Sequence, residues 1–157
     1  MMSASASPVT IDPATTDDRA DIAAIRRAVG LPAGDLTDDD LGTYRILWRS
    51  DRDSCGIVAV ESYNPVALLR SLAVHPDDRG CSLGQSLVLD AEAHARAEGV
   101  RAMYLLTHDQ EGFFERLGYR SIDRDAVPPV IADTPAFRNT RPDAACMWKQ
   151  LGASGFA

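Results

Sequence analysis

The sequence has little cysteine, and what it has is scattered. Cys55, Cys81 and Cys146 are odd in number and share no metal-ligand spacing. Neither a disulfide framework nor a thiolate metal site is expected, and no metal is assigned. No apolar run is long enough to cross a bilayer. The opening MMSASASP lacks the charged start and apolar core of a signal peptide. The expectation is therefore a cytoplasmic chain with no membrane partner. Basic residues are also in deficit, 16 Lys and Arg against 23 Asp and Glu, for a net charge of −7. That balance argues against nucleic acid or an anionic membrane as the main partner, while leaving room for a local basic pocket. Internal repeats and interdomain linkers are absent. The 157 residues, 45% of them apolar, are enough for one soluble domain with a real core. That domain is expected over residues 9–150, with flexible tails at 1–8 and 151–157.

The chain is organised around Val66 to Gly99. Val66 to Val74 is a nearly unbroken apolar run, interrupted by Arg70 and Ser71, of a length that suits a strand covered on both faces. A loop with Pro76, Asp77, Asp78 and Gly80 follows. A helix then opens, with Leu83, Leu87, Ala91 and Ala95 spaced by four. Ser82 and Gln85 have the spacing of a capping box, and Gly99 suits the residue beyond the helix end. A strand, a glycine-containing loop and a helix start together offer unpaired N–H groups and partial positive charge, which bind phosphate well. Gly80 and Gly84 keep side chains off a pyrophosphate, and Arg79 adds a charged donor. An ordinary strand–turn–helix joint would read the same way.

Upstream, Val9 to Ile11 can begin a first strand, and Thr15 or Thr16 can cap a helix whose Ile22, Ile25 and Val29 share a face. Thr37 caps a short acidic helix before Gly42. Tyr44 to Arg49 and Cys55 to Tyr63 read as strands, and Asn64-Pro65 turns the chain. A four-residue connection there places Glu61 and Arg70 on one sheet face as diagonal neighbours. Downstream, Arg101 to Thr107 is strand-like. His108 to Gly118 holds a short helix, Tyr119 to Ile122 a strand and Ala144 to Gln150 a last strand. Asp125 to Arg141, rich in proline, reads as a loop with a helical turn near Val130.

LAVHPDDRGCSLGQSLV, from Leu72 to Val88, resembles the acyl-CoA-binding motif of the GCN5-related N-acetyltransferases, in which Arg/Gln-x-x-Gly-x-Gly/Ala follows a hydrophobic–Ala–Val–x–Pro strand end. Arg79 and Gly84 match its ends, and Ser82 stands where the family usually has glycine. FFERLGY, from Phe113 to Tyr119, resembles the family's second cofactor segment, with Phe114 in place of the usual tyrosine. ALLRSLAV, the Glu61 strand and the proline-rich tail look like the small N-acetyltransferases associated with arsenic resistance. The resemblance implies an α/β fold with a mixed, mainly antiparallel sheet of six to seven strands and helices on both faces. A parallel crossover is expected from the Val66 strand to the Arg101 strand.

The resemblance also implies acetyl-CoA as co-substrate and direct transfer of an acetyl group to a small-molecule amine bearing an anionic group, in detoxification such as arsenic resistance. It implies a homodimer, since family members are often dimers. Its cofactor residues are Leu72, Ala73, Val74, Arg79, Gly80, Cys81, Ser82, Leu83, Gly84, Thr107 and Phe114. A backbone N–H near Leu72 is the expected catalytic polariser of the thioester. Glu61, the one carboxylate within the apolar run GIVAVESY, is the general-base candidate, and Arg70 the acceptor-binding candidate. A plain Glu61–Arg70 ion pair is the competing reading of both. Thr107 has a helix cap as its alternative, and Phe114 simple core packing. A non-catalytic acyl-CoA-binding module and a protein N-acetyltransferase are the alternative functions.

Overall fold

The computed structural model describes residues 9–31, 36–49, 53–78, 82–139 and 143–152. The strands are β1 (Val9–Pro13), β2 (Tyr44–Arg49), β3 (Ser54–Tyr63), β4 (Val66–Val74), β5 (Ala102–Thr107), β6 (Arg120–Ser121) and β7 (Ala145–Gln150). The helices are α1 (Arg19–Ala28), α2 (Asp38–Leu41), α3 (Leu83–Ala97), α4 (Glu111–Arg116), α5 (Pro129–Ala132) and α6 (Pro135–Asn139). One seven-stranded sheet has the order β1-β2-β3-β4-β5-β7-β6. The β1–β2, β2–β3, β5–β7 and β6–β7 pairs are antiparallel, and β4–β5 is parallel. The expected mixed, mainly antiparallel sheet is the one found.

The chain divides into two compact units, Met1–Ala59 with Ser71–Ala91, and Val60–Arg70 with Glu92–Ala157. In the first, Ile22 and Ile25 of α1 and Leu41 of α2 pack on Tyr44, Ile46, Ile57, Ala59 and Ala73. Both helices begin as their sequences dictate. Thr15 caps a 3-10 turn leading into α1, and Thr37 caps α2, each in a reciprocal capping box with an aspartate three residues on. The opposite face of the same strands meets α3. Arg45 pairs with Asp90 at 2.5 Å, and a Cβ added to Gly56 would lie 2.7 Å from Leu87 Cδ1. Glycine at position 56 leaves room for the Leu87 δ-methyl against β3.

In the second unit, Ile131 of α5, Phe137 of α6 and Val127 just ahead of α5 pack with Leu68, Tyr104 and Cys146 of the sheet. The proline-rich segment is thus a pair of short helices. Each has a proline at or near its first turn, where the missing N–H costs nothing.

Three local expectations are corrected. The connection after β3 has two residues where four were expected: β3 ends at Tyr63 and β4 begins at Val66, as read from the sequence, with Asn64-Pro65 between them. The strand near Tyr119 is only Arg120–Ser121. Ser82 does not have the extended backbone of a capping-box residue. It takes φ +61°, and its carbonyl accepts from the Ser86 N–H at 3.1 Å. Glycine takes that left-handed region without strain, which accounts for the family's usual residue there.

Candidate active site

Glu61 lies on β3 and Arg70 on β4, and the structure brings them together. Arg70 Nε donates to Glu61 Oε2, with side-chain exposures of 22% and 19%. Both are half-buried, so the pair is shielded but reachable. A third group was not foreseen. The Tyr63 hydroxyl donates to Glu61 Oε1 at 2.5 Å. Two residues apart on one strand, Glu61 and Tyr63 share a face by the pleat alone. Tyr63 also packs beside Leu68 and Val66, on the cluster that α5 and α6 cover. Both carboxylate oxygens of Glu61 are therefore engaged, one by a cation and one by a neutral hydroxyl.

Burial, and then the hydrogen bond to Glu61 and its negative charge, push the Tyr63 phenol up to about 12 from an unfolded value of 10.0. The folded state holds this proton more tightly than the unfolded chain does. The linked stability is present below pH 10 and is lost as pH rises from about 10 to about 12. Urea midpoints are expected to fall across that window, and the fall should be shallower in Tyr63→Phe. An unchanged alkaline slope in that variant contradicts the assignment. Tyr119, shifted up by burial and by Glu92, keeps contributing a slope at still higher pH.

On β4, Ser71 takes φ +56° in the middle of the strand. A left-handed residue inside a strand marks a bulge, which re-aims the neighbouring backbone. Leu72 follows directly and is half-buried, Ala73 is buried and Val74 half-buried. The chain then turns through Pro76–Asp78, where Asp78 pairs with Arg49. His75 Nδ1 accepts from the Asp77 N–H at 3.2 Å, so this histidine serves the turn. Arg79, Gly80 and Cys81 lie outside the described residues. Leu83 and Gly84 form the first turn of α3, both half-buried.

Thr107 ends β5, and its Oγ1 accepts from the N–H of Gln110, the residue before α4, at 3.1 Å; it is not the N-cap of that helix. Phe114 is buried and meets Phe113 and Tyr119 edge-on, with centroids 5.0 and 5.5 Å apart. Its packing role is plain. Behind it stands a buried polar group that the sequence reading missed. Glu92 of α3 is 1% exposed. It accepts from the Tyr119 hydroxyl at 2.9 Å and from Lys149 Nζ at 2.8 Å. Tyr119 is thereby committed to Glu92. Among the described residues, no group of three His, Cys, Asp or Glu side chains could hold a metal ion, and no helix is long and apolar enough to cross a membrane.

Strand β4 with its left-handed Ser71, the turn at Pro76–Asp78 and the long helix α3 opening on Leu83 follow one another in the chain. Residues 41–121 match the acetyltransferase (GNAT) domain, just over half of the sequence. The chain therefore belongs to the GNAT acetyltransferase family. An uncharacterized N-acetyltransferase of Chlorobaculum tepidum is 39% identical over 77 residues, covering 48% of this chain and 49% of the relative. An amino-acid acetyltransferase of Serratia proteamaculans is 29% identical over 82 residues, covering 50% and 19% respectively. The chain thus spans half or less of the length of these curated relatives.

The fold is shared more widely. N-acetylglutamate synthase from Neisseria gonorrhoeae, complexed with coenzyme A and N-acetyl-glutamate, superposes with a TM-score of 0.82 at 18% identity, over 95% of this chain and 36% of that one. A GNAT acetyltransferase of Staphylococcus aureus superposes with a TM-score of 0.74 at 13% identity, over 92% of this chain and 100% of that one.

Proposed function

We propose that this chain is an acetyl-CoA-dependent N-acetyltransferase whose acceptor is a small amine bearing an anionic group, with α-amino acids the leading class. The observation that carries the reading is the half-buried Glu61–Arg70–Tyr63 cluster in a chain of this family. A guanidinium fork suits a carboxylate, phosphonate or arsonate group, and an amino-acid acetyltransferase stands among the relatives.

In the resting arrangement Glu61 fills the place on Arg70 that an acceptor's anion would take. Acceptor binding exchanges one carboxylate for the other. Glu61, released from Arg70 but still held by the Tyr63 hydroxyl, then accepts the proton of the acceptor's ammonium group. The freed nitrogen attacks the thioester carbon. A C–N bond forms, the nitrogen gives up its second proton to solvent, the C–S bond breaks, and the sulfur leaves with the electron pair and takes a proton from solvent, as its pKa of ~8.5 permits. The Leu72 N–H polarises the carbonyl, a contribution of ~3 kcal/mol for a donor of this kind. Leu72, Ala73 and Val74 pair with the pantetheine arm as an added strand. The amides from Arg79 to Gly84 hold the pyrophosphate, and Thr107 and Phe114 contact the cofactor. The left-handed backbone of Ser82, ahead of the first turn of α3, supports the phosphate assignment, since such a turn aims successive N–H groups one way.

Gly84→Glu tests the cofactor half. A carboxylate in the first turn of α3 is expected to weaken acetyl-CoA binding at least a hundredfold by calorimetry, while the far-ultraviolet dichroism stays unchanged. Undiminished binding refutes the loop assignment.

A further inference from the structure

Ser71 occupies a backbone conformation that favours glycine, yet it carries a hydroxyl, and the structure uses that hydroxyl. Arg26, in the last turn of α1, donates from Nη1 to Ser71 Oγ at 3.2 Å. The same nitrogen donates to the Tyr44 hydroxyl. Tyr44 is 1% exposed and sits on β2 within the cluster formed by α1, α2 and the strands. One guanidinium thus ties the only left-handed residue of β4 to a helix and to a fixed aromatic ring on another strand.

We propose that Arg26 is a positioning residue that holds the Ser71 bulge, and through it the direction of the Leu72 N–H. This rests on the acetyltransferase reading above, in which Leu72 polarises the acyl carbonyl. A bulge has more than one way to relax, because a left-handed serine returns to extended backbone when nothing holds it there. A rigid planar donor anchored on buried Tyr44 removes that freedom. The oxyanion donor must already point to where charge develops, since reorganising it during the reaction forfeits the gain. Arg26 does not touch the reacting atoms in this account. It acts through Ser71.

The test uses Arg26→Met, Ser71→Gly, their double variant and Arg26→Lys in the full chain. Backbone amide exchange of Ser71 and Leu72 is expected to quicken at least tenfold in Arg26→Met, with the amides of α1 unchanged. With acetyl-CoA and a panel of α-amino acids, kcat should fall at least tenfold and the KM for acetyl-CoA stay within about twofold. Ser71→Gly should lose kcat comparably, and the double variant no more than either single one, because both break one link. Arg26→Lys keeps a donor and should recover part of the loss.

Unchanged exchange at Leu72 overturns the proposal whatever the kinetics show. Faster exchange with undiminished kcat overturns it as well, and leaves Arg26 a stability residue. If the unaltered protein releases no CoA with any amine, the acetyltransferase reading has failed. The affinity ratio of acetyl-CoA to CoA then decides the Arg26 proposal, since the two ligands differ only in the acyl group. The ratio should drop in Arg26→Met, and a constant ratio overturns it.

Discussion

Glu61→Gln is expected to lower turnover by ~10²-fold or more and to leave acetyl-CoA affinity little changed. Glutamine keeps the shape and can still accept from Tyr63, but it cannot take a proton at neutral pH. Arg70→Met should act differently, raising the acceptor KM with CoA binding intact, because in the proposed mechanism the fork meets the acceptor and not the cofactor. If the two residues were only partners, removing either would chiefly cost stability, by less than the ~3–5 kcal/mol of a fully buried pair, since Glu61 keeps the Tyr63 hydroxyl. The double variant would then regain stability. Melting curves and steady-state kinetics on all three proteins separate the accounts. Normal turnover in Glu61→Gln removes it as the base, whatever the melting curves show.

The largest stability effect is expected at Lys149. Glu92 is 1% exposed, and its two oxygens are met by Lys149 Nζ and the Tyr119 hydroxyl. Lys149→Met strands a buried carboxylate with one neutral donor, a change of about 3–5 kcal/mol. At this chain length that corresponds to a Tm lower by roughly 6–20 °C. Glu92→Gln in the same chain should restore most of it, because the uncharged amide still accepts from Tyr119. A Lys149→Met protein that melts with the parent shows that Glu92 reaches water in solution. Since Tyr119 meets Phe114 edge-on, a loosened Glu92 should also loosen the seat of α4.

Much of this arrangement was legible in the residues. The apolar run of β4 and the Leu87, Ala91, Ala95 stripe of α3 carried their own periods, and both threonine caps announced their helices. The Glu61–Arg70 pairing followed from the pleat and the turn position. Other features were written in the sequence and passed over. Tyr63 stands two residues from Glu61, and Glu92 stands four residues after buried Val88, on the face that packs inward. What was not legible needed backbone conformation or distant partners. Ser82 and Gln85 have a capping box's spacing, and spacing does not reveal a φ of +61°. Arg26 and Ser71 are 45 residues apart, and Glu92 and Lys149 57, separations at which local pattern carries no information about contact. Phe114 was foreseen as cofactor contact or core, and its edge-on neighbours make the packing concrete.

The most direct measurement is thiol release from acetyl-CoA by the purified protein, with free α-amino acids, L-glutamate and its phosphonate and arsonate analogues among them, set against the corresponding α-amides and an unstructured peptide. Acidic or free amino acids are expected to give repeated turnovers with an N-acetylated product by mass spectrometry, and neutral α-amides little or none. Tight acetyl-CoA binding without turnover on any amine would contradict the account and leave an acyl-CoA-binding module in its place.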